Sequence, residues 1–236
     1  MMVGWLFDGG RLTADAIPLD LRVYLITDPR LIGVRPLPEV VAAAIRGGVT
    51  IVQLRDKQAT TLQLLEMAGR LREITQPMGV PLIVNDRVDV ALAAGASGVH
   101  VGHPGQEDLL PELCRRLLGQ LLGPAAIVGV SADTERDVRA AEAAGASYLG
   151  VGPMHSTTTK ADAGRAAGSG LIVQIRALTA LPLVGVGGIT AATAGEVIAA
   201  GADGVAVAGA VLAAYDPEAA ARTLRAAVDD ALARRK

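Results

Sequence analysis

The chain has 236 residues, a formal net charge of −2 at pH 7 and a composition that is 51% hydrophobic. This length is long for one average domain but normal for one α/β barrel, and the hydrophobic share is enough for a large core. Both charge signs are scattered, and aromatic residues make up only 2% of the chain. A basic surface for nucleic acid or anionic membranes and a base-stacking platform are therefore not indicated.

The single cysteine and the N-terminal segment set expectations about the compartment. Cys114 has no second cysteine to pair with, which excludes an intrachain disulfide and favours a reducing cytoplasm. No apolar run reaches the roughly 18 residues of a membrane helix, and residues 1–20 lack the positive start of a signal peptide. We expect a cytoplasmic protein with an N-terminal extension over residues 1–20 and one catalytic domain over residues 21–236. Whether it forms a homo-oligomer is left open.

A glycine-containing pattern recurs four times along the chain. In each copy a helical stretch ends near a glycine, which is followed by small or polar residues and an apolar strand; these glycines are Gly48, Gly95, Gly145 and Gly201. The copies recur roughly every 50 residues, about the length of two βα units. Each copy therefore supplies one predicted strand, and a second strand is expected between copies.

The intervening strands are short apolar runs, predicted at Val23–Thr27, Leu82–Asn85, Ile127–Ser131 and Leu183–Gly187. Such runs, without strict alternation, are typical of strands buried on both faces of a parallel sheet. Helical stretches alternate with them at Leu62–Ile74, Val88–Ala94, Gln106–Leu118, Glu135–Ala144 and Ala191–Ala200. We expect the glycines after Ala94, Ala144 and Ala200 to adopt the left-handed conformation of helix caps.

Four βαβα units make eight strands, the number at which parallel βα units close into a barrel. The predicted fold is therefore a single-domain α/β protein, a (β/α)₈ TIM barrel. An open, doubly wound parallel sheet is the alternative. In the barrel, polar residues at the C-terminal ends of strands are expected to be functional.

The second strand ends in a cationic segment. Alternation places Gln53, Arg55 and Lys57 on one side, where the planar guanidinium and the ammonium group could converge on a phosphate. The alternative is a solvated loop that merely follows the strand.

The third and fourth strands end near two carboxylates. Asn85 and Asp86 follow the third strand and Asp108 lies on the next loop, a set of oxygen ligands that suits Mg²⁺ with a bound phosphate. Taken alone, Asp86 is instead expected to cap the following helix. His100 and His103 are too few for a zinc site and are interpreted as structural.

Polar residues also follow the remaining strands. Ser131 has no recognisable His/Asp partner, so we interpret its hydroxyl as a hydrogen-bonding group rather than a nucleophile. Four hydroxyl residues precede Lys160 on a loop long enough to act as a lid, unless it is only a flexible polar loop. Backbone N–H groups near Gly188 and at Ala208–Gly209 could bind a phosphate; the alternative is close helix–strand packing.

Together these strand ends resemble the thiamine-phosphate synthase family. The resemblance runs in order from about residue 22 to the last helix. The matching segments are Tyr24-Leu25-Ile26-Thr27-Asp28, Gln53-Leu54-Arg55-Asp56-Lys57, Asn85-Asp86-Arg87-Val88-Asp89, Gly129-Val130-Ser131, Gly150-Val151-Gly152-Pro153, Thr157-x-Thr159-Lys160 and Val186-Gly187-Gly188-Ile189. The resemblance implies condensation of 4-amino-2-methyl-5-pyrimidinylmethyl diphosphate with a thiazole phosphate, giving thiamine phosphate and pyrophosphate.

The resemblance also implies residue roles. The pyrimidine diphosphate would be held by Gln53, Arg55, Lys57, Asn85, Ser131 and Lys160. Mg²⁺ would be held by Asp86 and Asp108. The thiazole phosphate would be held by Thr157, Thr159, Gly188, Ala208 and Gly209. We take Arg55, Lys57 and Lys160 as catalytic because the segments contain cations but no evident nucleophile or general base. Such a site suits a dissociative displacement that stabilises departing pyrophosphate.

Three departures from the family pattern stand out. The segment His103-Pro104-Gly105 is inserted before Gln106, which puts the Asp108 loop in question. Gly209 stands where the family commonly has Ser, and His155-Ser156 replaces an aromatic-Pro pair.

Three alternative functions remain. A thiazole tautomerase paralogue would tend to lose the Asn-Asp pair and carry a His after the fifth strand, where this chain has Asp133. A sugar-phosphate isomerase would need a general base at a strand end. A non-catalytic binder of thiamine precursors would fit the changes at Gly209 and the inserted segment.

Overall fold

Eight short strands form the centre of the molecule in the computed structural model, which describes residues 19–102, 125–156 and 166–235. The strands are β1 (Val23–Ile26), β2 (Ile51–Leu54), β3 (Leu82–Asn85), β4 (Gly98–Val101), β5 (Ile127–Ser131), β6 (Tyr148–Val151), β7 (Leu183–Val186) and β8 (Gly204–Val207). Nearly every strand residue is buried, because one face lies in the barrel and the other under a helix.

Helices follow the strands on the outside of the barrel. The described ones are α1 (Leu37–Arg46), α2 (Thr61–Thr75), α3 (Val88–Ala93), α4 (Glu135–Ala143), α5 (Gly170–Arg176), α6 (Ala194–Ala199), α7 (Gly209–Leu212) and α8 (Pro217–Arg235). A single 3₁₀ turn, Pro29–Leu31, precedes α1. The long helix α8 packs against α1 and α6, which lie on either side of the point where the barrel closes.

The sheet is closed. Each strand pairs in parallel with the next, and β8 pairs with β1 through the partners Tyr24 and Ala206. This confirms the predicted (β/α)₈ barrel, and the open-sheet alternative is wrong. The C-terminal strand ends therefore surround one opening, the barrel mouth.

Two hydrophobic clusters fill the fold. The larger one lies between strands and helices and includes Val41, Leu71 and Val228. The smaller one occupies the barrel interior and consists of Leu21, Tyr24, Ile51, Ile83, Tyr148, Val184 and Ala206. It supports the residues above it at the barrel mouth.

The predicted elements agree closely with the observed ones. β3 and β5 have the predicted bounds. Helix α6 begins three residues later than expected, because the hydroxyl of Thr193 accepts the N–H of Thr190 at 3.0 Å and closes a turn there. The three predicted cap glycines have φ values of 61°, 71° and 117°, so the expected left-handed caps are confirmed; they are Gly95, Gly145 and Gly201.

Several predictions concern parts of the chain outside the described residues. These are the extension, most of which precedes residue 19, and the helix Gln106–Leu118 with Cys114. The domain boundary at residue 20 stays a prediction. Within the described ranges, no helix has the length and apolar character needed to cross a membrane.

Candidate functional site at the barrel mouth

The end of β2 is anchored to the end of β1. The backbone N–H of Arg55 donates to the Thr27 hydroxyl at 2.9 Å, and that hydroxyl donates back to the Arg55 carbonyl at 3.2 Å. Gln53 is 2% exposed, Arg55 is half-buried and Lys57 is exposed. The predicted cationic segment therefore leaves the barrel interior residue by residue and ends at the surface.

A buried carboxylate lies beside this segment. Asp28 is 3% exposed, and its two oxygens accept from Nε of Arg30 at 2.9 Å and from Nη2 of Arg30 at 2.6 Å. The hydrogen bonds from Arg30 hold the pKa of Asp28 below its ordinary value, and the charge of Arg55 adds to this effect. The Asp28 carboxylate is thus ionised and interacts with the charges of both Arg30 and Arg55.

Asp86 occupies an unusual backbone position. Its φ of 59° lies in the left-handed region, which a non-glycine residue seldom adopts outside turns and functional sites. Its Oδ1 accepts the N–H of Gly102 at 3.2 Å, and its Oδ2 accepts from Nδ2 of Asn85 at 2.5 Å. The N-cap of α3 is instead Arg87, which makes no side-chain cap, so the alternative capping role for Asp86 is wrong.

A series of polar side chains crosses the upper part of the barrel. Gln53 Nε2 donates to the Tyr24 hydroxyl, which lies 2.8 Å from the Tyr148 hydroxyl. The Tyr148 hydroxyl lies 3.0 Å from Nδ1 of His100, whose Nε2 lies 3.2 Å from Oγ of Ser131. This series links two predicted ligand-binding residues that are far apart in sequence.

Ser131 has a neighbour that its sequence context does not indicate. Its expected lack of a histidine partner is wrong, because Nε2 of His100 reaches it. The other ring nitrogen of His100 faces a tyrosine hydroxyl rather than a carboxylate, so these contacts do not form a Ser-His-Asp triad. Ser131 therefore keeps its interpretation as a hydrogen-bonding group.

The sequence interpretation gave no site role to Tyr24 and Tyr148 and took His100 as structural. Tyr24 and Tyr148 lie inside apolar runs, where an aromatic residue passes for ordinary core. The available signal was His100 itself, a polar residue within an apolar strand; its register with Asn85 is set only by the folded sheet.

The opposite side of the mouth is built from backbone. The N–H of Met154 donates to the Val186 carbonyl at 2.8 Å, and the N–H of His155 donates to the Gly187 carbonyl at 3.0 Å. Gly188 has a φ of 63°, and a Cβ there would lie 2.7 Å from both the His155 Cβ and the Ser156 carbonyl oxygen. Glycine is thus required here for close packing.

His155, which departs from the family pattern, contacts a helix. Its Nε2 lies 3.0 Å from Oε1 of Glu196 in α6. Among the described residues this buried nitrogen has no partner in hydrogen-bonding geometry. The contact is therefore best described as an ion pair that depends on protonation of the imidazole, and it links the loop after β6 to the helix after β7.

Gly209 begins the short helix α7, with Ala208 at its N-cap. A Cβ at Gly209 would meet no atom within 4 Å. In contrast to Gly188, close packing does not explain glycine at this position.

Part of the predicted site lies outside the described residues. These residues are Asp108, Thr157, Thr159 and Lys160, together with the inserted segment His103-Pro104-Gly105. Within the ranges that the structure describes, no three His, Cys, Asp or Glu side chains form a cluster that could hold a metal ion. Asp86 is therefore the predicted metal ligand whose surroundings are known.

A surface groove of about 280 Å³ opens at the other end of the barrel. It is lined by residues at the end of α2 and at the starts of β3 and β4, including Arg72, Leu82 and Ser97. It lies away from the C-terminal strand ends, where ligands of this fold bind, so it is not the candidate site.

Comparison with known proteins agrees with the fold and with the set of strand-end residues. Residues 23–211 match the family described as thiamine monophosphate synthase. The chain is 52% identical over 211 residues to the thiamine-phosphate synthase of Xanthobacter autotrophicus, covering 89% of this chain and 97% of that one. It is 50% identical over 210 residues to the thiamine-phosphate synthase of Chloroflexus aurantiacus, covering 89% and 94%.

Solved structures give the same result. The thiamine phosphate pyrophosphorylase of Pyrococcus furiosus superposes with a TM-score of 0.79 at 36% identity, covering 91% of this chain and 98% of that one. A 3-hexulose-6-phosphate synthase, at 21% identity and a TM-score of 0.60, shares the fold alone. On the family match and these identities, the chain belongs to the thiamine monophosphate synthase family.

Proposed function

We propose that this chain is a transferase that joins 4-amino-2-methyl-5-pyrimidinylmethyl diphosphate to a thiazole phosphate. The products are thiamine phosphate and pyrophosphate. The observation that carries the proposal is the grouping of Gln53, Arg55, Asn85, Asp86 and Ser131 around one barrel mouth, in a chain about 50% identical to proteins named thiamine-phosphate synthase.

The diphosphate would bind on the side of β2, β3 and β5. Arg55 has the planar fork and fixed charge that suit a diphosphate. Its backbone is held by Thr27, and the Asp28–Arg30 pair lies next to it. Gln53, Asn85 and Ser131 would complete this subsite, with Lys57 and, outside the described residues, Lys160.

Mg²⁺ would bind at Asp86. The fit is chemical: Mg²⁺ takes one or two carboxylates, several waters and phosphate oxygens, and Asp86 is held at the mouth by Gly102 and Asn85. Asp108 is the proposed second carboxylate. When bound, the ion would neutralise charge on the diphosphate. The protein's own task is to hold the carboxylate still.

The chemistry proceeds by bond breaking before bond making. The bond between the pyrimidinylmethyl carbon and the diphosphate oxygen breaks, and the electron pair leaves with pyrophosphate. Arg55, Lys57 and Lys160 stabilise the departing charge. The amino group of the pyrimidine stabilises the cation, and the thiazole nitrogen then forms the new C–N bond. No protein nucleophile is needed, consistent with the hydrogen-bonding role of Ser131.

The thiazole phosphate would bind opposite, at the ends of β7 and β8. Backbone N–H groups near Gly188 and at Ala208–Gly209 are the proposed donors, together with the hydroxyls of Thr157 and Thr159. Packing explains why Gly188 is glycine, and packing and phosphate binding are compatible at this position.

We place the reaction in the cytoplasm, because a chain with one cysteine does not depend on disulfides. Small phosphorylated molecules are the proposed partners. A tautomerase or a non-catalytic binder is not favoured, given the retained Asn85–Asp86 pair and the similarity to proteins named thiamine-phosphate synthase.

The test is pyrophosphate release by the full chain with both substrates and Mg²⁺. We expect release that requires both substrates and stops when the thiazole phosphate is omitted. Binding of the thiazole phosphate without release of pyrophosphate would show that the proposed activity is wrong and would favour the binding protein. Isomerisation of the thiazole ring without condensation would favour the tautomerase.

A further inference from the structure

The hydrogen bonds that connect Gln53, Tyr24, Tyr148, His100 and Ser131, here called the Gln53–Ser131 chain, cross the upper part of the barrel interior. Their lengths are 2.8, 2.8, 3.0 and 3.2 Å in that order. Tyr24 and Tyr148 also make an edge-to-face contact, and His100 stacks on Tyr148. The side chains are thus fixed by packing as well as by hydrogen bonds.

The two phenols keep their protons. Tyr24 is 1% exposed and Tyr148 is completely buried. Burial raises the pKa of both hydroxyls well above the ordinary value, because a phenolate would lose its hydration. Each hydroxyl can therefore donate one hydrogen bond and accept others.

Because each phenol has one proton to donate, the donors and acceptors along the Gln53–Ser131 chain follow one order. Gln53 Nε2 can only donate, so Tyr24 accepts from it and uses its own proton toward Tyr148. Tyr148 then has one proton left for Nδ1 of His100, which must accept it. The ring proton consequently lies on Nε2 and is donated to Oγ of Ser131.

The barrel makes room for these side chains. A Cβ at Gly129 on β5 would lie 2.2 Å from Cζ of Tyr148 and 2.5 Å from Nδ1 of His100. A Cβ at Gly150 on β6 would lie 3.1 Å from Cε1 of His100. Any larger residue at Gly129 would displace Tyr148 and His100, so the strands leave space where the chain crosses.

We infer that the Gln53–Ser131 chain runs in one direction, fixes the His100 proton on Nε2 and leaves the Ser131 hydroxyl as a donor toward a ligand at the barrel mouth. Tyr24, Tyr148 and His100 are positioning residues, since Tyr24 holds Gln53 and both Tyr148 and His100 act through Ser131. The ligand would be an anion or another hydrogen-bond acceptor. That this acceptor belongs to the pyrimidine diphosphate rests on the proposed function, whereas the direction of the chain does not.

The direction is tested by ¹⁵N NMR on full-length protein labelled at histidine, at about pH 8.5, where free imidazole is uncharged. The protein has three histidines. The variants His103→Gln and His155→Gln assign the His100 signals without altering any residue of the Gln53–Ser131 chain. A neutral imidazole keeps one ring proton, and we expect it on Nε2, so Nδ1 should have the shift of an unprotonated nitrogen and Nε2 that of a protonated one. The reverse pattern, or averaged shifts of two tautomers, would overturn the inference.

The wild-type spectrum decides the direction even if a variant fails to fold, and it needs no substrate. Failure of the proposed function is a separate outcome, namely no pyrophosphate release from a protein with the expected spectrum. The control variant Tyr215→Phe alters a fully exposed tyrosine and is expected to leave the His100 shifts unchanged.

The effect on Ser131 is tested by a double-mutant cycle with Tyr148→Phe and Ser131→Ala. We expect Tyr148→Phe to raise KM for the pyrimidine diphosphate about fivefold to tenfold in the wild-type background and less than about twofold in Ser131→Ala. KM for the thiazole phosphate should change less than about twofold in both. Equal effects of Tyr148→Phe in the two backgrounds would show that Tyr148 does not act through Ser131.

Discussion

The Oδ1 atom of Asp86 accepts the backbone N–H of Gly102 at 3.2 Å, which ties the end of β3 to the end of β4. Gly102 directly precedes the inserted segment His103-Pro104-Gly105. The carboxylate is therefore positioned by the strand framework rather than by the loop that carries Asp108. We infer that the insertion leaves the proposed metal role of Asp86 intact.

The first prediction follows from this position. Asp86→Asn keeps an oxygen for Gly102 and tolerates the left-handed backbone, but it removes the charge that would attract Mg²⁺. We expect pyrophosphate release at saturating substrates to fall about a hundredfold or more. The measurement is the initial rate over a range of Mg²⁺ concentrations.

The matched control is Asp89→Asn. Asp89 lies three residues after Asp86, and its exposed carboxylate pairs with Arg87. Its rate is expected to stay within about twofold of wild type. An Asp86→Asn enzyme with an unchanged Mg²⁺ dependence would exclude a metal role for this residue.

The second prediction concerns the tight contact at Gly188. Alanine would be strained at a φ of 63°, at a cost of roughly 1 kcal/mol or more, and its Cβ would press on His155 and the Ser156 carbonyl. Because the displaced backbone is the proposed phosphate subsite, Gly188→Ala should raise KM for the thiazole phosphate by about tenfold or more. Steady-state kinetics with the thiazole phosphate varied give this value.

Gly195→Ala serves as its control. Gly195 lies in α6, where a Cβ would meet no atom within 4 Å, so alanine is expected to stabilise the helix by about 0.5–1 kcal/mol. If both variants have wild-type KM values, the backbone at Gly188 is not part of the phosphate subsite.

The third prediction is a gain of binding at Gly209. The open space around this residue accepts a serine side chain, and a hydroxyl at the start of α7 could donate to the phosphate. We expect Gly209→Ser to lower KM for the thiazole phosphate by about threefold to tenfold. Gly69→Ser, at another open position, should leave it unchanged. A KM that rises or stays the same in Gly209→Ser would place the phosphate elsewhere.

The fourth prediction concerns acid stability. Hydrogen bonds from Arg30 lower the pKa of Asp28 in the folded protein, so its ionised form stabilises the fold. This contribution is fully present above the ordinary aspartate pKa of about 3.9 and is lost as pH falls through the lower folded value. Asp28→Asn should therefore lower the free energy of unfolding at pH 7. Below about pH 4, the free energy of unfolding should then decrease less in the variant than in wild type.

Urea unfolding of wild type and Asp28→Asn at several pH values measures this difference. Between pH 6 and pH 7 the difference should be constant, because Asp28 is ionised in both the folded and the unfolded protein. If the difference in the free energy of unfolding between wild type and Asp28→Asn grows as pH falls, the pKa of Asp28 is not lowered by folding.

The fold was readable from the chain because strands buried on both faces leave unbroken apolar runs. β3 and β5 were predicted to the residue. The start of α6 was not, since it is decided by a hydrogen bond from the Thr190 N–H to the Thr193 hydroxyl, which helical periodicity does not indicate. The cap glycines were predictable because the left-handed conformation excludes most other residues.

The site was only partly readable. Polar residues at strand ends, such as Asn85 and Asp86, stand out against apolar strands, so their place at the mouth follows from the order of elements. The sequence could not decide whether Asp86 is a metal ligand or a helix cap, because its partner Gly102 follows a different strand.

By itself, the sequence determined the alternation of eight strands with helices, the residues at the strand ends and the family that those residues resemble. The tertiary structure decided which of these side chains meet. Tyr24, Tyr148 and His100 lie on strands well separated in sequence, and only closure of the barrel brings their polar atoms within hydrogen-bonding distance. Their pairing depends on register and burial, which are properties of the whole sheet and leave no trace in any one segment.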